Sequence, residues 1–371
     1  MQRTARLSVI VCLLAASMVF AVDPPGPAVP LNSVTLDASK LRVHFIDVGP
    51  GLAALIETPQ DRRHIVVDGG KWRGSYMLGY VLEFVSDSLY PRRSHVDFMI
   101  LTHADIDHYN GMKDIFAVCQ VDSFLYTGYE SKELAKVKTW TNFLKEVDDA
   151  DKCDAYVPLN EYVSVGEKET IDDGGTPGDP SDDIILHYLN VDSDSPERGP
   201  IFGREFNESE RRNNASLVFK LIYKDVSFLF TGDINGRNED QTDVSTDNEI
   251  DSEELELWVR HTLDPENYSL KATVLQAPHH GSNGSCSLPF IKAVDPEWVV
   301  IPAGHQYNHP APARLRRFAT AGIPGTHILR TDEGDSTPES PLVKDPRADD
   351  SYVFETDGTT ITKIWRFKGW N

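Results

Sequence analysis

The stretch "LTHADIDHYNG", residues 101–111, places His103, Asp105, Asp107 and His108 within six positions, directly after the apolar run "VDFMIL". A buried-type run ending in such a cluster reads as a strand that delivers polar side chains at its carboxyl end. Alternate side chains followed by a turn gather imidazole nitrogens and carboxylate oxygens around one point, and both are ligands for divalent cations. Taken alone, the same pattern is compatible with an ordinary polar loop.

Two later stretches repeat the design. Asp233 closes "FLFTGD", and His279 and His280 stand in "LQAPHHGS", each after a run of strand character. A lone aspartate there would read as a turn residue. Three strand ends carrying ligands at one rim read as a site. Asp68 in "IVVDGG" is expected either to orient a ligating histidine or to cap its turn. His44, His64, His95, His187, His261 and His327 lack a supporting constellation.

Upstream of the loop, "LRVHFIDVG", "LAALIET" and "HIVVDGG" predict a meander of three strands, and "YMLGYVLEFVSDSL" predicts a helix. Downstream, "KDIFAVC" and "ELAKVKTWTNFLKEV" have helical spacing, while "DAYVPL" and "DIILHYLNV" read as strands. A hairpin is expected around "YKD" in "ASLVFKLIYKDVSFLFTGD". Helix "SEELELWVRHTL" and strand "KATVLQAPHHGS" follow, then alternating helix and strand, and a closing hairpin "YVFETDGTTITKIWRF" turning at Asp-Gly. Two strand groups, each followed by helices, predict an α/β fold of two sheets packed face to face with helices outside.

The 371 residues, 40% hydrophobic and 25% charged, suffice for a large buried core. Arg3 and Arg6, the apolar "LSVIVCLLAASMVF" and the small residues Val19 and Ala21 predict a signal peptide over 1–21, followed by a Pro-rich linker over 22–40. The expected product is exported, periplasmic or extracellular, with no membrane span once the signal is removed. Without Cys12, only Cys119, Cys153 and Cys286 remain, so at most one disulfide can form, and no CxxC pair offers a thiolate zinc site.

Net charge is −22, and it concentrates in acidic insertions near 172–197 and 238–256. Neither keeps the spacing of a calcium loop, and both read as solvated surface. Basic residues gather only in "PRRSH", "ERRNN" and "ARLRRF". Their simplest reading is a solvated face, with a local basic groove as the alternative.

In order along the chain, "THADIDH", "NNASLVFKLIYKDVSFLFTGD" and "LKATVLQAPHHGS…AVDPEWVVIPAG…NHP" resemble the metallo-β-lactamase superfamily. Within it they are most similar to the hydrolase domain of the competence protein ComEC and its free-standing relatives, which include phosphorylcholine esterases. The resemblance covers residues 41–371. It implies an αββα sandwich with two divalent metals at one sheet edge, His103 and Asp105 on one, Asp107 and His108 on the other. Asp233 would bridge them, and His279 and His280 would complete the shells.

Departures from the family pattern carry information. Asp105 stands where many members have histidine, so manganese or iron competes with zinc, the first expectation. Asn213 or Asn214 would replace a middle histidine ligand or bind substrate. Asn110 stands in place of the first of two glycines after the cluster. His309 in "YNHP" is expected to donate a proton to the leaving group or to bind substrate.

The implied reaction is hydrolysis. Two close cations lower the pKa of a shared water, and Asp107 would orient the resulting hydroxide toward a small-molecule or nucleic-acid phosphodiester. Lactone or β-lactam carbonyl substrates are the alternative, and a non-catalytic binding protein on the same scaffold is a third. The strong acidity weighs against nucleic acid, whose binding normally needs cations. No specific protein partner is implied.

Overall fold

A computed structural model describes residues 22–71, 75–85, 94–149, 151–191, 206–236, 250–304, 309–333 and 350–368. The expected signal peptide and most of the second acidic insertion lie outside the described residues.

Two sheets form the centre. Across the first run β1 (Val29–Pro30), β16 (Ile361–Lys368), β15 (Ser351–Thr356), β2 (Leu41–Phe45), β3 (Ala54–Glu57), β4 (His64–Val67), β5 (Ser94–Ile100), β6 (Cys119–Tyr126) and β7 (Cys153–Pro158). Across the second run β14 (Ile328–Arg330), β13 (Trp298–Ile301), β12 (Val274–Gln276), β11 (Val226–Phe230), β10 (Val218–Tyr223), β9 (Ile184–Asn190) and β8 (Lys168–Asp172). Helices α1 (Ser75–Val85), α2 (Ile106–Tyr109), α3 (Met112–Phe116) and α4 (Lys138–Val147) follow strands of the first sheet. Short α5 (Leu159–Tyr162) and α6 (Glu208–Asn214) lie in the connections, and α7 (Ser252–Leu263), α8 (Leu288–Val294) and α9 (Pro312–Thr320) accompany the second sheet.

Alternation along the strands explains the layering. One set of side chains, including Phe45, Phe219, Phe230 and Phe354, fills the space between the sheets, with Phe45 and Phe230 stacked at 5.7 Å. The opposite faces pack separately: Tyr80, Phe116, Phe124 and Phe143 on the first sheet, Leu275, Phe290, Val299 and Phe318 on the second. Each sheet is thus buried on both faces, as strands of near-continuous hydrophobicity require. This is the expected αββα arrangement.

Connectivity decides where the site can be. β4 to β7 pair in parallel, as do β11 to β14, so their carboxyl ends share one edge of the sandwich. The expected hairpins form at Lys224 and at Asp357–Gly358, between β10 and β11 and between β15 and β16.

Several local expectations need correction. The helical reading of "KDIFAVC" runs too far: α3 ends at Phe116 and Cys119 begins β6, because Val121, Phe124 and Tyr126 fit a sheet buried on both faces. The helix read from "ELAKVKTWTNFLKEV" is broken at Val137, after a single tight turn over Leu134–Lys136. The acidic stretch around 172 is not all solvated, since Asp172 is buried and accepts from Arg62 Nε at 2.9 Å. Glu254, in the second insertion, is fully buried, accepting from the backbone N–H groups of Cys286 at 2.6 Å and Ser287 at 2.9 Å. Of the "ARLRRF" arginines only Arg316 is exposed: Arg314 and Arg317 are fully buried, their guanidinium groups donating to the carbonyls of Asn283 and Ser285. Cys119, Cys153 and Cys286 are buried free thiols. Within 22–40, Val29 pairs with Phe367 at the sheet edge. Among the described residues no helix is long and apolar enough to cross a membrane.

Candidate metal centre

Asp68, His103, Asp233, His279 and His280 all lie just past the carboxyl ends of parallel strands, at the shared edge. Asp105 is the residue before α2, and Asp107 and His108 stand in that helix's first turn. The backbone here is unusual: Asp68, His279 and His280 have φ of 55°, 46° and 53°, a left-handed region seldom adopted by residues other than glycine.

Asp233 is the centre of the cluster. Its Oδ2 lies 3.1 Å from His280 Nε2, 3.3 Å from His108 Nε2, 3.8 Å from His103 Nε2 and 3.9 Å from His279 Nε2. Each ring is oriented through its other nitrogen. His108 Nδ1 donates to Asp68 Oδ2 at 2.6 Å, His280 Nδ1 to the Pro302 carbonyl at 2.7 Å, and His279 Nδ1 to Asn235 Oδ1 at 3.0 Å. Thr102 Oγ1 donates to Asp68 Oδ2 at 2.7 Å and so accepts from His103 Nδ1 at 3.1 Å.

These partners place a proton on each Nδ1 and turn four Nε2 atoms toward one carboxylate, with a lone pair wherever the ring is neutral. Such an arrangement is repulsive unless positive charge lies among them. His103 Nε2 and Asp233 Oδ1 are buried without a hydrogen-bond partner, which is costly for groups of this kind. The donor set therefore fits divalent cations. Nearby His108 and Asp233 form one metal-capable group with His103, while His108 forms a second with Asp107 and His280.

The protein's own electrostatics lean the same way. Burial opposes a charge on His108, yet Asp233 and Asp68 outweigh it and hold its pKa well above that of an ordinary histidine. Burial likewise opposes the Asp233 carboxylate, but His280, His108 and His103 hold it well below the usual range. His103 is pushed well down by burial and by His108. The pocket keeps its central carboxylate ionised and draws positive charge beside it.

Asp105 is held differently from the expected pairing with His103 alone. Its Oδ2 is 3.9 Å from His103 Nε2, but its other oxygen is taken by Arg212 Nε in an ion pair. Arg212 reaches it from α6, whose start is fixed by reciprocal bonds: Asn207 Oδ1 accepts from Glu210 N, and Glu210 Oε2 from Asn207 N, both at 3.0 Å. That capping box is legible as Asn-x-x-Glu in "NESE" and would have placed Arg212 on a helix; sequence reading left it inside a basic cluster.

The two asparagines separate. Asn213, with its amide nitrogen toward Asp105 Oδ2 at 3.2 Å, turns its oxygen to the side of His279. Asn214 Oδ1 instead accepts from Asn235 N at 3.0 Å, steadying the residue that orients His279. Asn110 Nδ2 donates to the Lys71 carbonyl at 2.7 Å, away from the cluster. His309 stands 5.9 Å from the His279 ring and 6.4 Å from the His280 ring, and burial together with those rings lowers its pKa to about 3.

Asp105, Asp107, Asp233, His279, His280 and His309 line one open cleft of about 780 Å³. Elsewhere, His64 and His95 also lie close to carboxylates, but Arg42 donates to Glu57 at 2.9 Å and Arg63 to Asp97 at 2.6 Å, so a guanidinium already supplies the cation.

The model of the metallo-beta-lactamase superfamily matches residues 46–305. ComE operon protein 3 of Bacillus subtilis (strain 168) is 25% identical over 313 residues, 80% of this chain and 32% of that protein. Competence protein ComA of Neisseria gonorrhoeae is 24% identical over 292 residues, 77% of this chain and 30% of that protein. The chain thus spans about a third of the length of these curated relatives. Among solved structures, the metallo-beta-lactamase fold protein YhfI from Bacillus subtilis aligns with a TM-score of 0.40 at 10% identity, covering 78% of this chain and 95% of that one.

Proposed function

Because the chain belongs to the metallo-beta-lactamase superfamily, we propose that it is an exported phosphodiesterase working with two divalent cations at the Asp233 cluster. At the coarser level it is a metal-dependent hydrolase of that superfamily. One observation supports the cation centre on which this reading is built: four histidine Nε2 atoms lie within 3.9 Å of a single Asp233 oxygen, each ring held in place by its Nδ1 partner. His108, His280 and Asp107 would hold one cation, His103, Asp105 and His279 the other, and Asp233 would lie between them. Zinc suits the histidines; Asp105 makes manganese or iron the alternative.

Such cations supply ionised water near neutral pH and withdraw charge from the substrate's phosphoryl oxygens. The chain's own residues do the rest. Asp107, whose side chain is 18% exposed with Oδ2 3.9 Å from His280 Nε2, accepts a hydrogen bond from the attacking water and aims it at phosphorus. A new P–O bond forms to the oxygen of the attacking water, the P–O bond to the leaving alcohol breaks, and the proton that water releases passes through solvent to the leaving oxygen, giving an alcohol and a phosphomonoester. His309 lines the same cleft and would meet the leaving oxygen as a hydrogen-bond donor.

The test is a substrate panel on metal-loaded protein: bis(p-nitrophenyl) phosphate, single-stranded DNA, a lactone and a β-lactam. Chelator-sensitive cleavage of the phosphodiester, lowered roughly 100-fold or more by Asp107→Ala, is the expected result. Faster turnover of the carbonyl substrates would replace this reading with the acyl one. Export rests on residues 1–21 and is tested by sequencing the N-terminus of secreted protein.

A further inference from the structure

One wall of the cleft has a different chemistry from its ligand floor. Ile106 and Val137 both line the cleft and are each 39% exposed, and the buried Leu134 and Tyr109 line it with them. Val137 is the residue immediately before α4, with φ −78° and ψ 103°, and its side chain makes no capping hydrogen bond. Serine, threonine, aspartate or asparagine at such a position stabilises a helix over an aliphatic residue. The chain therefore keeps an apolar side chain at the cleft where helix stability alone would select a polar one.

The wall is also rigidly joined to the catalytic helix. Tyr109 Oη and Thr139 Oγ1 are hydrogen-bonded at 2.8 Å, Lys113 Nζ donates to the Thr139 carbonyl at 2.9 Å, and the Tyr109 and Trp140 rings pack at 5.2 Å. Ile106 and Val137 thus hold a fixed position relative to Asp107 and His108.

Charge around the cleft narrows the occupant further. Arg212 is the single Arg or Lys among the described lining residues, against the carboxylates of Asp105, Asp107, Glu210 and Asp233. Its Nε is on Asp105 and its Nη1 lies 3.8 Å from Glu208, leaving Nη2 without a hydrogen bond in the described residues. A polynucleotide is bound along a series of cations that neutralise successive phosphates. The described cleft has one guanidinium, and the buried Arg314 and Arg317 cannot extend it.

We infer that the cleft takes a small phosphodiester with an apolar alcohol group, its phosphate between the Asp233 cluster and Arg212 and its apolar group on the Ile106–Val137 wall. This specificity rests on the phosphodiesterase reading, and its test measures binding without turnover. Isothermal titration of metal-loaded protein with phenylphosphonate and with methylphosphonate compares two ligands of the same headgroup. Phenylphosphonate should bind roughly tenfold or more tightly, from the added aromatic surface it buries. In Val137→Ser that advantage should shrink several-fold, while the serine, well suited to the start of α4, keeps the fold intact as read by its thermal midpoint. Arg212→Met should weaken both ligands.

Equal affinity for the two phosphonates, or an undiminished phenyl preference in both Val137→Ser and Ile106→Ser, would overturn the inference. A phenyl preference in protein that cleaves no phosphodiester would sink the proposed activity and leave the subsite standing. Cleavage of bis(p-nitrophenyl) phosphate without any phenyl preference would do the reverse. Single-stranded DNA turned over more efficiently than small aryl diesters would also contradict the inference.

Discussion

Single side chains at the centre act through their partners. Asp68 touches no expected cation position, yet it fixes His108 by one hydrogen bond and Thr102 by two, at 2.7 and 2.8 Å. Asp68→Asn should therefore weaken metal retention roughly 10- to 100-fold while leaving the far-ultraviolet circular dichroism unchanged; undiminished affinity in equilibrium dialysis would mean that Asp68 only caps its turn. The candidate ligands could be picked out in the sequence because they follow strand ends or stand in the short helix just after one. Arg212, Thr102 and Asn235 were not, because their roles exist only through contacts such as the one between Arg212 and Asp105, which lie 107 positions apart.

Elements position those side chains, and their close approaches are exacting. Gly111, immediately before α3, lies against the backbone of Gly69, and a Cβ there would collide with the Gly69 carbonyl. Gly69 in turn donates to the His108 carbonyl at 2.6 Å, so the two loops are fastened together at the ligand helix. Gly111→Ala should cost about 1–3 kcal/mol of stability, seen as a lowered urea midpoint, together with weaker metal binding; a variant with both properties unchanged would show that the approach is not tight. Strands with strong hydrophobic alternation, such as β2 to β5, β10 and β11, were legible. β6 and β8 were not: "CQVDSFLY" interrupts its apolar residues with Gln120, Asp122 and Ser123, "KETID" is polar by composition, and both become strands through pairing with neighbours distant in the chain. Tertiary pairing overrode local pattern there.

At the scale of the molecule, the sandwich follows from burial on both faces of both sheets, and its acid response follows from what else is buried. His187 of β9 is 2% exposed, and burial together with Lys220 lowers its pKa from 6.5 to about 4. The unfolded chain therefore binds this proton first on acidification. Its contribution is present above pH 6.5 and is lost as pH falls toward 4, to the extent of about 3 kcal/mol. Urea unfolding at pH 7 and pH 4.5 should show a smaller loss for His187→Gln than for the natural chain; equal losses would remove His187 from the explanation. Cation binding adds a second whole-molecule effect, because a ligand of the folded state alone raises the thermal midpoint. The central claim, that buried histidines and aspartates around Asp233 hold a pair of cations, is met most directly by elemental analysis of protein dialysed exhaustively after loading with zinc or manganese. Close to two ions per chain, falling below one in Asp233→Ala, is the expected result; a natural chain that retains no metal, or a variant that retains as much, would contradict it.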